Sequence, residues 1–327
     1  MADILRWGLL STANINNKLI RPILASKNHK LVAVASRSQE KADAYAAEKR
    51  IPRAHGSYEA LLADPEVDVI YNSLPNHLHA EWTIKACQAG KHVLCEKPFA
   101  LSLAEVDAMS AAAQKARVVL TEAFMYRHHP QTLKVKELVD QGTLGRIHLI
   151  RGMFCFYLND QTNVRLVPEW GGGSIWDVGV YPISYMRTMM SAEPEEVFCW
   201  QVKGQTGVDI SMSGELRFPN NVLGQFQCGF NASWHASIEI MGEDGSLVVP
   251  TPFQPYTDVE ITHVQNGLDQ KIKLKGQDLY LGELDDMYQC IFHGKKPLVS
   301  LEDTRRNIRV VLACLESART GKPVSLK

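Results

Sequence analysis

The chain has 327 residues, of which 45% are hydrophobic and 22% charged, a composition typical of a globular protein long enough for two domains. Its formal net charge is −1 and its basic residues are scattered, so nucleic acid is not expected as a partner. The sequence has no run of about 18 apolar residues and no signal-peptide pattern, so we expect neither a membrane span nor a membrane partner. Seven widely spaced cysteines predict reduced thiols in a cytoplasmic protein, without disulfides or a zinc site.

Strands and helices alternate in the first part of the chain. Apolar runs rich in β-branched residues predict strands at 4–10, 30–36, 67–74, 91–95 and 118–122. Helical segments are predicted between them at 15–26, 39–50, 77–89 and 103–115. This order is typical of βαβ units with right-handed crossovers. The fold class is therefore α/β, with a doubly wound parallel Rossmann sheet in a dinucleotide-binding domain over residues 1–122.

The pattern changes in the second part of the chain. Strands, several of them alternating, are predicted at 147–156, 196–202, 209–218, 222–230, 237–242, 246–249 and 259–263. Helices are predicted at 132–141, 173–190, 280–293 and 301–319. We therefore expect an α+β domain over residues 123–327, with a large, mostly antiparallel open sheet.

The turn after the first strand resembles a pyrophosphate-binding loop only in part. Small residues there would let backbone amides and a helix N-terminus approach a phosphate. The glycine positions of the GxGxxG pattern, however, hold Ser11, Ala13 and Asn16. On this turn alone, a nucleotide site and an ordinary strand-to-helix turn are about equally good interpretations.

The end of the second predicted strand bears on the choice of cofactor. Ser36 and Arg37 follow the turn by about 25 residues, near where an NAD-binding protein carries an acidic residue for the ribose 2′-hydroxyl. A guanidinium suits a 2′-phosphate, which favours NADP, with NAD less favoured. The alternative is a solvent-exposed arginine at a strand end.

Two further strand ends carry polar residues. His77 and His79 follow the third strand, at the edge where open α/β sheets bind ligands, although taken alone they are better explained by a helix-start turn with exposed imidazoles. After the fourth strand, Pro98 restricts Lys97 to extended backbone angles. The Lys97 ammonium could then stabilise a developing alkoxide, with Glu96 orienting it. Taken alone, the Glu-Lys-Pro tripeptide is more often a charged surface turn.

A glycine run at 171–173 opens the helix predicted to carry the second half of the site. Asp177 and Tyr181 are four residues apart and would share one helical face. A lysine beside a tyrosine forms a good acid/base pair, because the cation lowers the pKa of a phenol. The alternative is a structural Asp177 and a core Tyr181. Arg165 and Trp170 precede the run and could line a substrate pocket, or could belong to a surface loop.

These segments together resemble the Gfo/Idh/MocA oxidoreductase family. The resemblance is carried by DPEVDV at 64–69, by Pro75-Asn76 with His79, by AGKHVLCEKP at 89–98 and by GGGSIWDVGVYP at 171–182. It implies a Rossmann domain followed by an α+β domain, whose sheet often joins subunits into a homodimer or homotetramer. It also implies chemistry at Lys97 and Tyr181, with Asp177 nearby.

The tyrosine at 181 and the segment EAFMYR at 122–127 resemble the branch of dimeric dihydrodiol dehydrogenase, glucose-fructose oxidoreductase and NADP-linked D-xylose dehydrogenase. That branch generally uses NADP. The residues expected to contact the cofactor are Ser11, Thr12, Ala13, Asn14, Ile15, Ser36, Arg37, Leu74, Pro75, Asn76, His79, Glu96, Lys97 and Arg127. The residues expected to contact substrate are Lys97, Arg165, Trp170, Asp177 and Tyr181.

The reaction implied is hydride transfer between NADP(H) and a CH–OH or C=O carbon of a sugar, a sugar derivative or a cyclic diol. Lys97 and Tyr181 would act as its acid/base pair without a metal, since the His and Cys residues form no convincing ligand set. Two rival interpretations are a glycosidase-type enzyme that oxidises transiently with a retained nicotinamide, and a non-catalytic NADP-binding sensor.

Overall fold

The computed structural model describes residues 3–327, and its first part is a parallel sheet with helices between the strands. The strands are β1 Leu5–Leu10, β2 His29–Ala35, β3 Arg53–His55, β4 Val69–Asn72, β5 His92–Glu96 and β6 Leu120–Ala123. The helices are α1 Asn16–Ala25, α2 Gln39–Lys49, α3 Tyr58–Leu62, α4 His79–Gln88 and α5 Leu103–Ala116. All the pairings are parallel, in the order β3-β2-β1-β4-β5-β6. The predicted doubly wound Rossmann sheet is confirmed.

Sequence signals explain most of these elements. β4 is buried along its whole length, as a central strand covered on both faces requires. The Ser102 hydroxyl accepts from the Glu105 amide at 3.2 Å, which caps the start of α5. The short elements β3 and α3 were not predicted, because three and five residues are too few to show a hydrophobic period.

The second part of the chain builds a larger sheet. Its helices are α6 Pro130–Asp140 and α7 Val180–Met190. Its strands are β7 Ile147–Tyr157, β8 Glu196–Lys203, β9 Asp209–Arg217, β10 Leu223–Gly229, β11 Asn231–Gly242, β12 Ser246–Pro250, β13 Asp258–Gln265, β14 Leu268–Lys275 and β15 Val324–Ser325. The order is β14-β13-β12-β11-β7-β10-β9-β8-β15, and within it β7 and β10 pair in parallel. The expected large, mostly antiparallel sheet is confirmed.

The edge strand β14 was not predicted. It pairs with β13 across a turn at Asn266 and Gly267, both of which have positive φ. Lys271, Lys273 and Lys275 alternate along it, and no residue of the strand is buried. Such a strand shows no apolar face in the sequence, and its lysines discourage pairing with another sheet edge.

Two long helices precede β15, α8 Leu281–His293 and α9 Leu301–Thr320. The chain forms two compact units, and the first ends at Met125, close to the expected division after residue 122. Tyr280–Arg305 also belongs to this first unit, whereas the sequence division places it in the second. The physical reason is that α8 packs on α1 and buries Leu284 and Met287. In residues 3–327, no helix combines the length and apolar character that crossing a membrane would require.

Candidate active site

The turn after β1 holds a serine in a backbone conformation that usually requires glycine. Ser11 has a φ of 138°, which L residues rarely adopt. Its hydroxyl oxygen accepts a hydrogen bond from the Ala13 amide at 3.1 Å and lies 2.8 Å from the Ser73 hydroxyl. The Ser11 side chain therefore stabilises the conformation of the turn. The sequence suggested only that a small residue here would allow a phosphate to approach the backbone.

Asn16 completes a buried polar network around this turn. Its side-chain amide donates to the Ser11 carbonyl at 2.8 Å, and its side-chain oxygen accepts from the Ser73 hydroxyl at 2.7 Å. Because Ser73 gives its proton to Asn16, Ser11 must donate in the bond between the two serines. Ser11 and Asn16 are two of the three departures from the glycine pattern, and both bond to Ser73, the residue after β4. The sequence analysis did not identify Ser73 as part of this turn.

The same turn has features that fit an anionic group of a dinucleotide. Ile15 at the start of α1 provides no side-chain cap, and the amides of Asn16, Asn17 and Lys18 donate to backbone carbonyls of the preceding turn. Arg37 follows β2 and is exposed, while Ser36 is buried and its amide donates to the His55 carbonyl at 3.0 Å. An exposed guanidinium suits phosphate groups. The Ser36 amide bond to His55 holds the chain just before Arg37 in place.

His79 braces the site through its ring. The imidazole is fully buried, with Nδ1 2.8 Å from the Pro98 carbonyl and Nε2 2.8 Å from the Leu74 carbonyl. Burial lowers the pKa of His79, while the two carbonyl contacts raise it, since only the imidazolium can donate to both. The interpretation of His79 as an exposed imidazole is wrong. Its ring links the end of β4 to the turn after β5.

The turn after β5 is held by Glu96. The Tyr71 hydroxyl donates to one carboxylate oxygen of Glu96, and the Lys97 amide donates to the other at 3.2 Å. The Lys97–Pro98 peptide bond is cis. Burial, followed by the nearby Glu96 charge, raises the pKa of Tyr71 well above its usual range. The phenol is therefore a neutral donor, and it fixes the carboxylate that orients the Lys97 backbone.

Glu122 is a buried carboxylate that also supports this turn. It accepts from the Phe99 amide at 3.0 Å and from the Thr304 hydroxyl at 2.9 Å. Thr304 lies in the segment that returns to the first unit. In the sequence, Glu122 stood out only as the first residue of the segment EAFMYR at 122–127. Its bond to Thr304 joins distant parts of the chain, and no local spacing indicates it.

In the second unit, Arg165 and Asp177 are joined directly. The Arg165 Nε donates to the Asp177 carboxylate at 2.6 Å, and the Asp177 carboxylate raises the pKa of Arg165. The predicted α-helix over 173–190 begins instead as a π-helix, Ile175–Gly179, which continues into α7. Asp177 therefore lies in the π-helical turn and Tyr181 in α7, so the two are not related by the α-helical spacing that the sequence suggested. Short π-helical segments occur frequently at functional sites.

Asp209 anchors the start of this π-helix. Its carboxylate accepts from the Ser174 hydroxyl at 2.6 Å and from the Ile175 amide at 2.8 Å. Burial raises the pKa of Asp209 to about 6. Gly173 has a φ of 125°, and a Cβ there would collide with the Asp209 carboxylate. Only glycine fits at this close approach, which explains the last member of the glycine run.

The ring of Tyr181 is part of an aromatic cluster. It is buried, with ring-centre distances of 5.7 Å to Tyr126, 5.4 Å to Phe154 and 5.4 Å to Phe253. Tyr181 is therefore held rigidly by packing, which suits a group that must present its hydroxyl in one direction. Trp170 is 40% exposed, so its indole has surface available to a ligand.

In the described part of the chain, no group of three or more His, Cys, Asp or Glu side chains is arranged to hold a metal ion. The seven cysteines are all buried free thiols.

Two family models match this chain. The oxidoreductase family, NAD-binding Rossmann fold model matches residues 5–124, and the GFO/IDH/MocA C-terminal domain model matches residues 132–248. D-xylose 1-dehydrogenase (NADP(+)) 2 of Haloferax volcanii is 36% identical over 98% of this chain and 99% of its own length. Trans-1,2-dihydrobenzene-1,2-diol dehydrogenase of Xenopus tropicalis is 31% identical over 91% and 93%.

A solved structure agrees with the fold over the whole chain. The crystal structure of aldose-aldose oxidoreductase from Caulobacter crescentus, complexed with glycerol, superposes with a TM-score of 0.92 at 26% identity. The match covers 99% of this chain and 100% of that one.

Proposed function

This chain belongs to the Gfo/Idh/MocA oxidoreductase family, and we propose that it transfers hydride between NADP(H) and a CH–OH or C=O carbon of a sugar, a sugar derivative or a cyclic diol. The observation that carries the proposal is that the chain combines a braced lysine after β5 with a rigidly packed tyrosine at the start of α7. Lys97 and Tyr181 are the acid/base pair of the reaction. The first unit, which the sequence placed at residues 1–122, supplies the dinucleotide-binding part, and the second unit supplies the substrate-binding and subunit-joining part.

NADP is the cofactor we propose. Exposed Arg37 at the end of β2 is the candidate for the 2′-phosphate, and the turn from Ser11 to Ile15 is the candidate for the pyrophosphate. The name of the Haloferax relative, which carries NADP(+), supports the same choice. When bound, the nicotinamide accepts hydride in the oxidation direction and donates it in reduction.

The protein's own groups handle the proton. In oxidation, the Tyr181 phenolate takes the proton of the substrate hydroxyl as the C–H bond gives up its hydride, and in reduction Tyr181 returns that proton to the new alkoxide. The Lys97 ammonium lowers the cost of both the phenolate and the alkoxide by hydrogen bonding and charge. Glu96 keeps the Lys97 backbone in place.

Arg165, Asp177 and Trp170 are the residues that we propose contact the substrate. The ion pair between Arg165 and Asp177 keeps both side chains in defined positions, from which they can bind hydroxyl groups. The half-exposed indole of Trp170 can stack on a sugar ring.

An NADP-linked absorbance screen over aldoses, inositols, anhydro sugars and cyclic diols, run in both directions, tests the proposal. We expect a change in NADPH with at least one class, and none in the same assay with Lys97→Ala. Product formation without a net NADPH change would replace the proposal with the glycosidase-type reaction. NADP binding without turnover of any compound would favour the sensor.

We also propose that the second unit's sheet forms a homodimer or homotetramer. Trp200 on β8 and Trp234 on β11 are 62% and 50% exposed, and such indoles are typical of subunit interfaces. Sedimentation of Trp200→Glu tests this proposal. A variant that keeps the wild-type mass would argue against this face.

A further inference from the structure

Asp209 is a buried carboxylate at the junction between the loop that carries Arg165 and the π-helical turn. It is the first residue of β9 and is 3% exposed. Its Oδ2 accepts from the Ser174 hydroxyl at 2.6 Å and from the Ile175 amide at 2.8 Å. Its Oδ1 lies so close to Gly173 that a Cβ there would collide with it. One side chain from a distant strand therefore fixes three consecutive residues.

The same residues connect the two members of the Arg165–Asp177 ion pair. The Gly173 amide donates to the Arg165 carbonyl at 2.9 Å, so the loop that carries Arg165 closes on Gly173. The Gly173 carbonyl accepts from the Asp177 amide at 3.2 Å, so the turn that carries Asp177 starts from the same residue. The relative position of the two charged side chains thus depends on where residues 173–175 are held.

The π-helical form of the turn gives Asp177 and Tyr181 different neighbours. The Val180 amide donates to the Ile175 carbonyl five residues back, one residue more than in an α-helix. The extra residue turns the side chains before it relative to those after it. Asp177 accordingly meets its arginine partner, while the Tyr181 ring packs in the aromatic cluster. Because π-helical turns are rare, this one needs support from outside the helix, and Asp209 supplies an acceptor at its first amide.

We propose that Asp209 is a positioning residue for substrate binding, which holds residues 173–175 so that the π-helical turn brings Asp177 to Arg165. The role rests on the proposed function, in which Arg165 and Asp177 contact the substrate. Because Asp209 is almost fully buried, it acts through the ion pair and does not touch the substrate.

The proposal separates substrate binding from proton transfer. Without the Asp209 carboxylate, the Ser174 hydroxyl and the Ile175 amide lose their acceptor, and buried donors left without a partner force the segment to shift. Such a shift pulls the ion pair apart. Tyr181 is held by its own aromatic neighbours and stays in place. Substrate binding should therefore weaken while proton transfer and cofactor binding are kept.

The rate at which phenylglyoxal labels Arg165 in the full-length protein, read by peptide mass spectrometry, tests the geometry directly. The Arg165 side chain is 39% exposed, and a guanidinium held by a carboxylate reacts more slowly than one without that partner. Asp209→Ala is the test variant, and Asp177→Asn gives the rate without the ion pair. Arg187 is the internal control, because its side chain is 1% exposed and reacts only when the domain opens.

We expect Arg165 to be labelled about 3- to 10-fold faster in Asp209→Ala, the size of one charge-assisted hydrogen bond at a partly exposed site. Asp177→Asn should give a similar rate, and the double variant should be no faster than Asp177→Asn alone, because both changes break the same pair. A wild-type rate in Asp209→Ala would overturn the proposal. So would effects that multiply in the double variant, or an equal rise at Arg187, which would indicate general loosening.

Ser174→Ala keeps the test decisive if Asp209→Ala does not fold, because it removes only one of the two hydrogen bonds to the carboxylate. We expect a rise in Arg165 labelling of about 2- to 3-fold in this variant. An unchanged rate there would also overturn the proposal.

Steady-state kinetics adds a second readout once a substrate is found. In Asp209→Ala we expect KM for the substrate to rise about 10-fold, while kcat stays within about 3-fold and the Kd for NADPH is unchanged. A fall in kcat at constant KM would contradict the positioning role.

The labelling needs no substrate, so the two proposals can fail separately. If no sugar or diol is turned over, the proposed function fails while labelling still reports on Asp209. If turnover is found and Arg165 labelling is unchanged in Asp209→Ala, the proposed function stands and the positioning role is wrong.

Discussion

The Arg165 guanidinium and the Asp177 carboxylate form a direct ion pair, with 2.6 Å between Nε and Oδ2. Asn163 accepts a further bond from Arg165 Nη1 at 3.3 Å, so the guanidinium has a defined orientation. The pair joins the loop before the glycine run to the π-helical segment that leads to Tyr181. The Asp177 side chain is 13% exposed and that of Arg165 is 39% exposed. Breaking the pair would therefore cost more free energy at Asp177, whose charge would be left with less water around it.

Replacing Arg165 should impair substrate use more than stability. In Arg165→Met the Asp177 carboxylate loses its partner, and we expect kcat/KM to fall about 10- to 100-fold, as for a lost charge-assisted contact. Arg165→Lys should recover only part of this loss, because an ammonium cannot copy the planar guanidinium. Steady-state kinetics on the best substrate from the screen measures the effect, with exposed Arg146→Met as the control. Wild-type kcat/KM in Arg165→Met would show that the pair is structural.

Removing either member of the acid/base pair should lower turnover without preventing cofactor binding. For Lys97→Met and Tyr181→Phe we expect kcat to fall about 10²- to 10⁴-fold, the usual contribution of a positioned acid or base. NADPH fluorescence titration should show nearly unchanged binding in Tyr181→Phe. Tyr256→Phe, which changes an exposed tyrosine, is the matched control. Near wild-type turnover in both variants at saturating NADP would eliminate the pair.

The choice between NADP and NAD should depend on Arg37. Its guanidinium is exposed just after the end of β2. In Arg37→Ala we expect the Kd for NADP to rise about 10- to 100-fold, the value of a charged hydrogen bond, while the Kd for NAD stays constant. Calorimetric titration with both cofactors measures this. Lys41→Ala on the following helix is the control, and an equal loss of both cofactors in Arg37→Ala would contradict the assignment.

The Ser11–Ser73–Asn16 network should affect both cofactors alike. Ser73→Ala leaves the buried Asn16 oxygen without its donor and Ser11 without its acceptor at the Ser73 hydroxyl. The expected cost is about 1–3 kcal/mol, shared between stability and cofactor binding. In our proposal the network shapes the turn and does not contact the 2′-position of the cofactor. The Kd values for NADP and NAD should therefore rise by the same factor. Selective loss of NADP would show that Ser73 acts in some other way.

Asp209 should make stability fall between about pH 4 and pH 6. Its pKa is raised to about 6 by burial, against about 3.9 in an unfolded chain. In this range the folded state keeps a proton that the unfolded state has lost, so the unfolding free energy decreases as pH rises and levels off above pH 6. The decrease should be about 3 kcal/mol. Asp209→Asn removes this contribution.

Urea unfolding of wild type and Asp209→Asn at pH 4.5 and pH 7 measures this effect, since the difference between the two proteins cancels the other carboxyl groups. Asp160→Asn, on an exposed loop, is the control. If the wild type and Asp209→Asn change by the same amount between the two pH values, Asp209 is ionised throughout.

The sequence was sufficient for the architecture. Long apolar runs identified the central Rossmann strands, and alternation identified most of the antiparallel strands. It failed at β3, α3 and β15, which are too short, and at β14, where no residue is buried. It also missed the π-helical start of the helix at 175–179, because a single π-helical turn within a buried helix is too short to show its own hydrophobic period.

The sequence by itself determined the two kinds of sheet, the turn around Lys97 and the helix that carries Tyr181, because hydrophobic periods and turn residues act over a few neighbouring positions. Only the tertiary structure decided which groups surround them. Ser73 reaches the turn at Ser11, and Asp209 meets the start of the π-helix. The partners of a buried polar group are set by how distant segments cross, and no local pattern encodes that.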